Sequence, residues 1–184
     1  MPTLEKNPIA LVTGGSRGLG RSMALHLAER GTDIIFTYRA AATESNEVRE
    51  KIRALGRKAV ALPLDVAKSD SFETFAQTVA VELERTWGKT QFDYLINNAG
   101  MGLHAGIVET TSAQIDEVYN VHFKAPFLLT QRLLPLIADG GRVINVSSGL
   151  ARMTMPGFSA YAAMKGLPGV RGSKSAGLSR KTSR

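Results

Sequence analysis

The chain of 184 residues contains no cysteine, so disulfides, thiolate nucleophiles and cysteine-bound metals are excluded and the redox compartment is left open. Long apolar runs are also missing. None approaches the ~18 residues that a membrane span needs, and the opening MPTLEKNP lacks the apolar stretch of a secretory leader. The three histidines (His26, His104, His122) do not have metal-ligand spacing. Acid is absent from one end only. Five of the 23 lysines and arginines (Arg171, Lys174, Arg180, Lys181, Arg184) lie beyond Gly166 with no acid among them, leaving 18 basic against 16 acidic residues elsewhere. The net charge of +7 therefore belongs largely to a tail, and no specific nucleic-acid partner is expected. These absences leave a cytoplasmic protein with no membrane partner as the default expectation.

What is present is a 43% hydrophobic content, enough for one domain with a substantial core. Short β-rich runs alternate with amphipathic stretches. IALVT (9–13), DIIFTYR, AVALPLDV, DYLINNAG and GRVINVSS read as strands. Between them lie helical patterns beginning at GLGRSMALHLAERG and ESNEVREKIRALG, one from Ser69 to Trp87, and one from Thr111 to Leu134. Alternation at this spacing implies βαβ units and an α/β fold: a doubly wound parallel sheet of Rossmann type.

The turn TGGSRGLG (13–20) falls where the first strand ends and the first helix begins. Glycines allow close backbone approach to a pyrophosphate, and a helix N-terminus offers amides and a positive dipole end. Gly14-Gly15-Ser16-Arg17-Gly18 also matches a nucleophile elbow with Ser16 as nucleophile, and Gly15 to Ser22 nearly matches a P-loop, with Arg21 where lysine is required. Neither His104 nor His122 has a recognisable triad context, so dinucleotide binding is the stronger expectation.

Tyr161 and Lys165 stand one helical turn apart. A carbonyl reduced by hydride needs a positioned acid, and a lysine on the same helix face favours the phenolate left behind. With Gly14-x-x-x-Gly18-x-Gly20, Asn97-Asn98-Ala99-Gly100, Asn120 in NVHFKAPF, and Ser148 followed by Tyr161-x-x-x-Lys165, residues 9–165 resemble the short-chain dehydrogenase/reductase family. The resemblance implies a nicotinamide cofactor and hydride transfer between an alcohol and a carbonyl on a small-molecule substrate. It implies that Tyr161 is the general acid/base and that Lys165 supports it and holds the nicotinamide ribose. Ser148, chosen over Ser147 by its spacing to Tyr161, would bind the substrate oxygen, and Asn120 would anchor a water in a proton relay. Cofactor contacts are expected from Gly14, Ser16, Arg17, Gly18, Leu19 and Gly20 in the turn. Further contacts are expected from Asn97, Ala99 and Gly100, from Asp65 and Val66 beside adenine, and from Tyr161 and Lys165.

The second strand ends in FTYR, with Tyr38 where an acid would bind the ribose 2′-hydroxyl of NAD. Arg39 and Arg17 instead favour a 2′-phosphate, so NADP is expected, with NADPH preferred over NADH. After Lys165 the family pattern stops. Pro168 ends the helix, and a basic, Gly/Ser-rich tail (166–184) is expected to be disordered, as truncation or a frame shift near Gly166 would produce. The C-terminal strands of the fold would then be missing, and 1–165 would be an incomplete cofactor-binding domain. The resemblance also implies a homo-oligomer whose interface rests largely on the helix that Pro168 cuts short. The alternative expectation is a non-catalytic dinucleotide-binding fragment. Met153, Met155 and Phe158 suggest an apolar substrate, and His104 falls in a loop able to border it.

Overall fold

A computed structural model describes residues 7–153 and 155–166. Of the tail expected to be disordered (166–184), Gly166 instead closes a helix, and 167–184 lie outside the described residues. Five strands, β1 (Ile9–Val12), β2 (Asp33–Tyr38), β3 (Ala59–Pro63), β4 (Phe92–Asn97) and β5 (Ile137–Asn145), form one parallel sheet in the order β3-β2-β1-β4-β5. The helices are α1 (Gly18–Glu29), α2 (Ala42–Ala54), α3 (Phe72–Trp87), α4 (Ser112–Tyr119), α5 (Ala125–Leu133) and α6 (Ser159–Gly166). Among the described residues, no helix is long and apolar enough to cross a membrane.

The continuous apolar run of β1 is explained by burial on both faces. Side chains alternate across a strand. Ile9 and Leu11 accordingly join one core with Phe72, Val79 and Leu83 of α3 and Leu129 and Leu133 of α5. Ala10 and Val12 join the other, with Ala24 and Ala28 of α1 and Val48 and Ile52 of α2. Helices on both faces make this the doubly wound sheet that the alternation implies. The chain leaves β1 for β2 on one side and pairs β1 with β4 on the other, so the strand order reverses between β1 and β4. Loops at the C-terminal ends of those two strands border a crevice there.

Two local departures matter for the site. The helix expected over 111–134 is broken. A capping box between Thr111 and Gln114 starts α4, but residues Asn120–Lys124 form a π turn before α5. Pro126 has no amide to give the His122 carbonyl, and the Ala125 N–H reaches back five residues to the Asn120 carbonyl instead. The fifth strand is longer than GRVINVSS suggests. It begins at Ile137 opposite Phe92, bulges, and resumes with Arg142 opposite Tyr94, with Gly140 at φ 80° taking the left-handed conformation the bulge requires.

Candidate active site

The glycine turn and the Asn-Asn-Ala-Gly segment are pinned to each other through Thr13. Its buried hydroxyl accepts hydrogen bonds from the Asn98 amide (2.9 Å) and the Ala99 amide (3.0 Å), and the Asn98 side chain donates back to the Thr13 carbonyl (2.9 Å). Thr37 of β2 holds the other side by accepting from the Gly14 amide at 3.0 Å. Gly14 has φ 68°, and a Cβ there would lie 3.0 Å from the Ala99 backbone; one at Gly20 would overlap the Gly14 carbonyl and the Asn98 amide. The turn thus presents bare backbone. Arg17 precedes α1 in extended conformation without a side-chain cap, so the first-turn amides of α1 are available to an anion.

A cleft of about 850 Å³ runs from this turn across the ends of the strands. Gly14, Ser16, Arg17, Leu19 and Gly20 line it, whereas Gly18 does not and contributes its left-handed φ of 55° to the turn. At the end beside β2 stand Tyr38 and Arg39, and a carboxylate, Glu44 in the first turn of α2, which the sequence reading did not place there. Asp65 and Val66 form a side wall, and Ala99 and Gly100 the floor. Asn97 turns away, donating both amide hydrogens, to Thr130 Oγ1 (3.1 Å) and Asn145 Oδ1 (2.7 Å).

Tyr161 and Lys165, on α6, line the opposite end of the cleft. The Lys165 ammonium donates to the Val146 carbonyl at 3.0 Å and lies 5.9 Å from the centre of the Tyr161 ring. Burial holds its pKa below the ordinary 10.5, because the charged form loses hydration. Ser147 lines the cleft, and its hydroxyl contacts the Lys165 carbonyl at 3.3 Å. Ser148 Oγ accepts from the Leu150 amide at 3.2 Å, capping a 3₁₀ turn over Gly149–Ala151, and is not among the cleft-lining residues. Nor is Asn120, which opens the π turn.

The π turn brings His122 to the cleft instead. It is 4% exposed and meets Tyr161 edge-on, with ring centroids 5.2 Å apart at 88°. Its Nε2 lies 2.7 Å from the Met101 carbonyl oxygen. The Met101 amide nitrogen also lies 3.4 Å from Nε2. The 2.7 Å contact to the carbonyl, which only accepts, is much the shorter and favours the tautomer with the proton on Nε2 and the lone pair on Nδ1. Burial, and then the Lys165 ammonium, lower its pKa to about 4 against the opposing effect of the Met101 hydrogen bond. A proline inside a helical pattern is the signal in the sequence that a π turn re-aims this side chain. Phe158 also stands 6.4 Å from the Tyr161 ring and is itself met edge-on by His104 at 5.0 Å. The two loops carrying His104 and Phe158 are joined by a hydrogen bond from the Ala105 amide to the Gly157 carbonyl (2.8 Å). Among the described residues no cluster of three or more potential ligands could hold a metal ion.

The arrangement can hold a dinucleotide along the cleft and move a proton at its Tyr161 end. Residues 8–172 match the family model described as short chain dehydrogenase. The chain is 37% identical over 157 residues to the hydroxynaphthalene reductase arp2 of Aspergillus fumigatus, covering 85% of this chain and 55% of that protein. It is 35% identical over 159 residues to the tetrahydroxynaphthalene reductase PfmaG of Pestalotiopsis fici, again 85% of this chain and 55% of the relative. The chain thus spans about half the length of these curated relatives. Among solved structures it is similar to the angucycline C-6 ketoreductase LanV with bound NADP (TM-score 0.83, 36% identity, 86% of this chain and 62% of that one). It is also similar to a blue fluorescent protein from a metagenomic library in complex with NADPH (TM-score 0.78, 34% identity, 86% and 63%). The pinned glycine turn, the reversal of strand order beside it and these matches have one meaning: the chain belongs to the short-chain dehydrogenase/reductase family of oxidoreductases.

Proposed function

We propose that this protein reduces a carbonyl with NADPH, using Tyr161 as the proton donor. The observation that carries the reading is the placement of Tyr161 and Lys165 on one turn of α6, at the end of a cleft whose other end is the bare glycine turn. The residues fit a dinucleotide: the absence of a Cβ at Gly14 and Gly20 lets the turn close against Ala99 and Asn98 at the edge of the cleft, and the uncapped N-terminus of α1 supplies amides. When bound, NADPH supplies the hydride. The Tyr161 hydroxyl gives its proton to the alkoxide oxygen that develops, and the Lys165 ammonium stabilises the phenolate that remains. Ser148 keeps accepting from the Leu150 amide and donates its hydroxyl hydrogen to the substrate oxygen.

Arg17 and Arg39 support NADPH over NADH, because a guanidinium fork matches the oxygens of the 2′-phosphate. Glu44 opposes that preference from the same end of the cleft, and two guanidiniums outweigh one carboxylate. The hydroxynaphthalene reductases among the relatives support a ketone on a fused aromatic ring as substrate, as do the rings of His104 and Phe158 beside Tyr161. The test is consumption of NADPH with a panel of aromatic and aliphatic ketones, run with wild type and Tyr161→Phe. Turnover that the variant loses supports the reading. Tight NADPH binding without turnover supports the second reading, a dinucleotide-binding chain that does no chemistry.

A further inference from the structure

His122 Nδ1 is buried and has no hydrogen-bond partner among the described residues. A buried acceptor without a donor is destabilising, so a donor within reach of this atom is expected. Adjoining the cleft is a second, smaller chamber of about 20 Å³, lined by Asn97 and Asn145 and, in common with the cleft, by His122 and Lys165 among others. One water needs roughly 10–15 Å³ and two or more polar partners; the chamber meets both requirements. The Lys165 ammonium has three hydrogens and gives one to the Val146 carbonyl. Asn97 uses both of its amide hydrogens on Thr130 and Asn145, which leaves its carbonyl and the Asn145 amide as further polar groups on the wall.

We propose that His122 is a positioning residue of this centre, whose Nδ1 accepts a hydrogen bond from a single water held in the chamber and bonded in turn to the Lys165 ammonium. The Met101 carbonyl fixes the tautomer that makes Nδ1 an acceptor, and the edge-on contact with Tyr161 ties the same imidazole to the reacting phenol. One ring thereby sets the orientation of the lysine and of the tyrosine together. The depressed pKa is consistent with this role, since a charged imidazole beside the ammonium would be repelled. The kinetic consequence rests on the proposed reaction; the binding geometry does not.

Two measurements on the whole 184-residue chain test it. The first needs no turnover: ¹⁵N-histidine NMR of wild type and Lys165→Met. The expected result is an Nε2–H tautomer with a hydrogen-bonded Nδ1 whose resonance moves when the ammonium is removed. A proton on Nδ1, or an Nδ1 resonance indifferent to Lys165→Met, would overturn the proposal. The second separates the two ring nitrogens. His122→Asn puts an amide oxygen where Nδ1 was, whereas His122→Gln keeps a donor toward Met101 and loses the acceptor. With NADPH affinity similar in both, kcat should fall about thirtyfold or more in His122→Gln and no more than about fivefold in His122→Asn. Equal losses would overturn the role. A wild type that binds NADPH and reduces nothing would sink the proposed reaction instead, with the NMR result still deciding the place of His122.

Discussion

The imidazole of His122 and the phenol of Tyr161 meet edge to face, 5.2 Å between centroids at 88°. With Phe158 at 6.4 Å, the tyrosine ring has two aromatic neighbours, one from the π turn and one from the loop before α6. Packing of the ring therefore sets the direction of the hydroxyl. Tyr161→Phe keeps the ring and deletes only the acid. General acid catalysis contributes typically 10²–10⁴-fold, so kcat should drop by about that much while the NADPH dissociation constant, read from cofactor fluorescence, changes by less than about threefold. A variant that retained wild-type kcat would remove Tyr161 from the chemistry.

His122 also makes a prediction about acid stability. Its pKa falls from the ordinary 6.5 to about 4 in the folded chain. Between those values the unfolded chain binds a proton that the folded chain refuses, so stability falls as pH drops through that window and is fully present above 6.5. Each unit corresponds to ~1.4 kcal/mol, and screening by water in the open cleft removes part of it, leaving an expected loss of about 2 kcal/mol. Urea unfolding of wild type and His122→Asn at several pH values between 7 and about 4 measures it, with the difference in slope between the two as the readout. Parallel slopes would assign the acid sensitivity to other groups.

β1 to β4 were legible because each is a run rich in apolar residues bounded by turn residues, β1 most of all because both its faces are covered. β5 instead starts four residues before GRVINVSS, in IADG, where the bulge lies. The Tyr161 end of the cleft was legible only in part. Tyr161 and Lys165 are related by helix periodicity alone, so their spacing suffices. Asn120 and His122 lie two residues apart on a segment read as ordinary helix, and which of them reaches the cleft depends on the π turn that Pro126 enforces. The partners of His122, Met101 and Tyr161, come from distant segments that only the fold brings together. Ser147 and Ser148 divide their roles through the 3₁₀ turn that follows, which draws Ser148 toward the Leu150 amide. Glu44 was hidden for a similar reason: it reads as a helix-surface acid until the start of α2 is seen beside the end of β2.

That carboxylate allows the cofactor preference to be tuned in both directions. Arg39→Ala removes one guanidinium from the cleft, which Arg17 and Glu44 also line. The NADPH dissociation constant should rise about tenfold and that of NADH by less than about twofold, since charge-assisted hydrogen bonds contribute about 1.5–3 kcal/mol when fully formed and this site is open to solvent. Glu44→Gln should tighten NADPH about two- to threefold by relieving repulsion of the 2′-phosphate. Calorimetric titration of both nucleotides checks the pair. Equal effects on NADPH and NADH would place the 2′-phosphate elsewhere.

The pinning of β1 to β4 through Thr13 predicts a stability effect that carries over to the cofactor. The Thr13 hydroxyl accepts two amides, from Asn98 and Ala99, and is buried with them at the base of the cleft. Thr13→Val preserves the shape of the side chain and removes the acceptor, so two amides lose their partner. Each unsatisfied buried amide costs about 1–3 kcal/mol. The Asn98 side chain still bridges to the Thr13 and Gly14 carbonyls (2.9 and 3.3 Å), which limits the damage to the two amides. The expected loss is about 3 kcal/mol, read as a lower urea midpoint at unchanged m-value. Because Ala99 lies against Gly14, freeing its amide also loosens the surface on which the pyrophosphate would rest, so NADPH should bind several-fold more weakly. Thr13→Ser restores the hydroxyl and should recover most of both losses. A serine variant as impaired as the valine one would trace the effect to the lost methyl group and its packing, and the two amides would then have no part in holding the cleft.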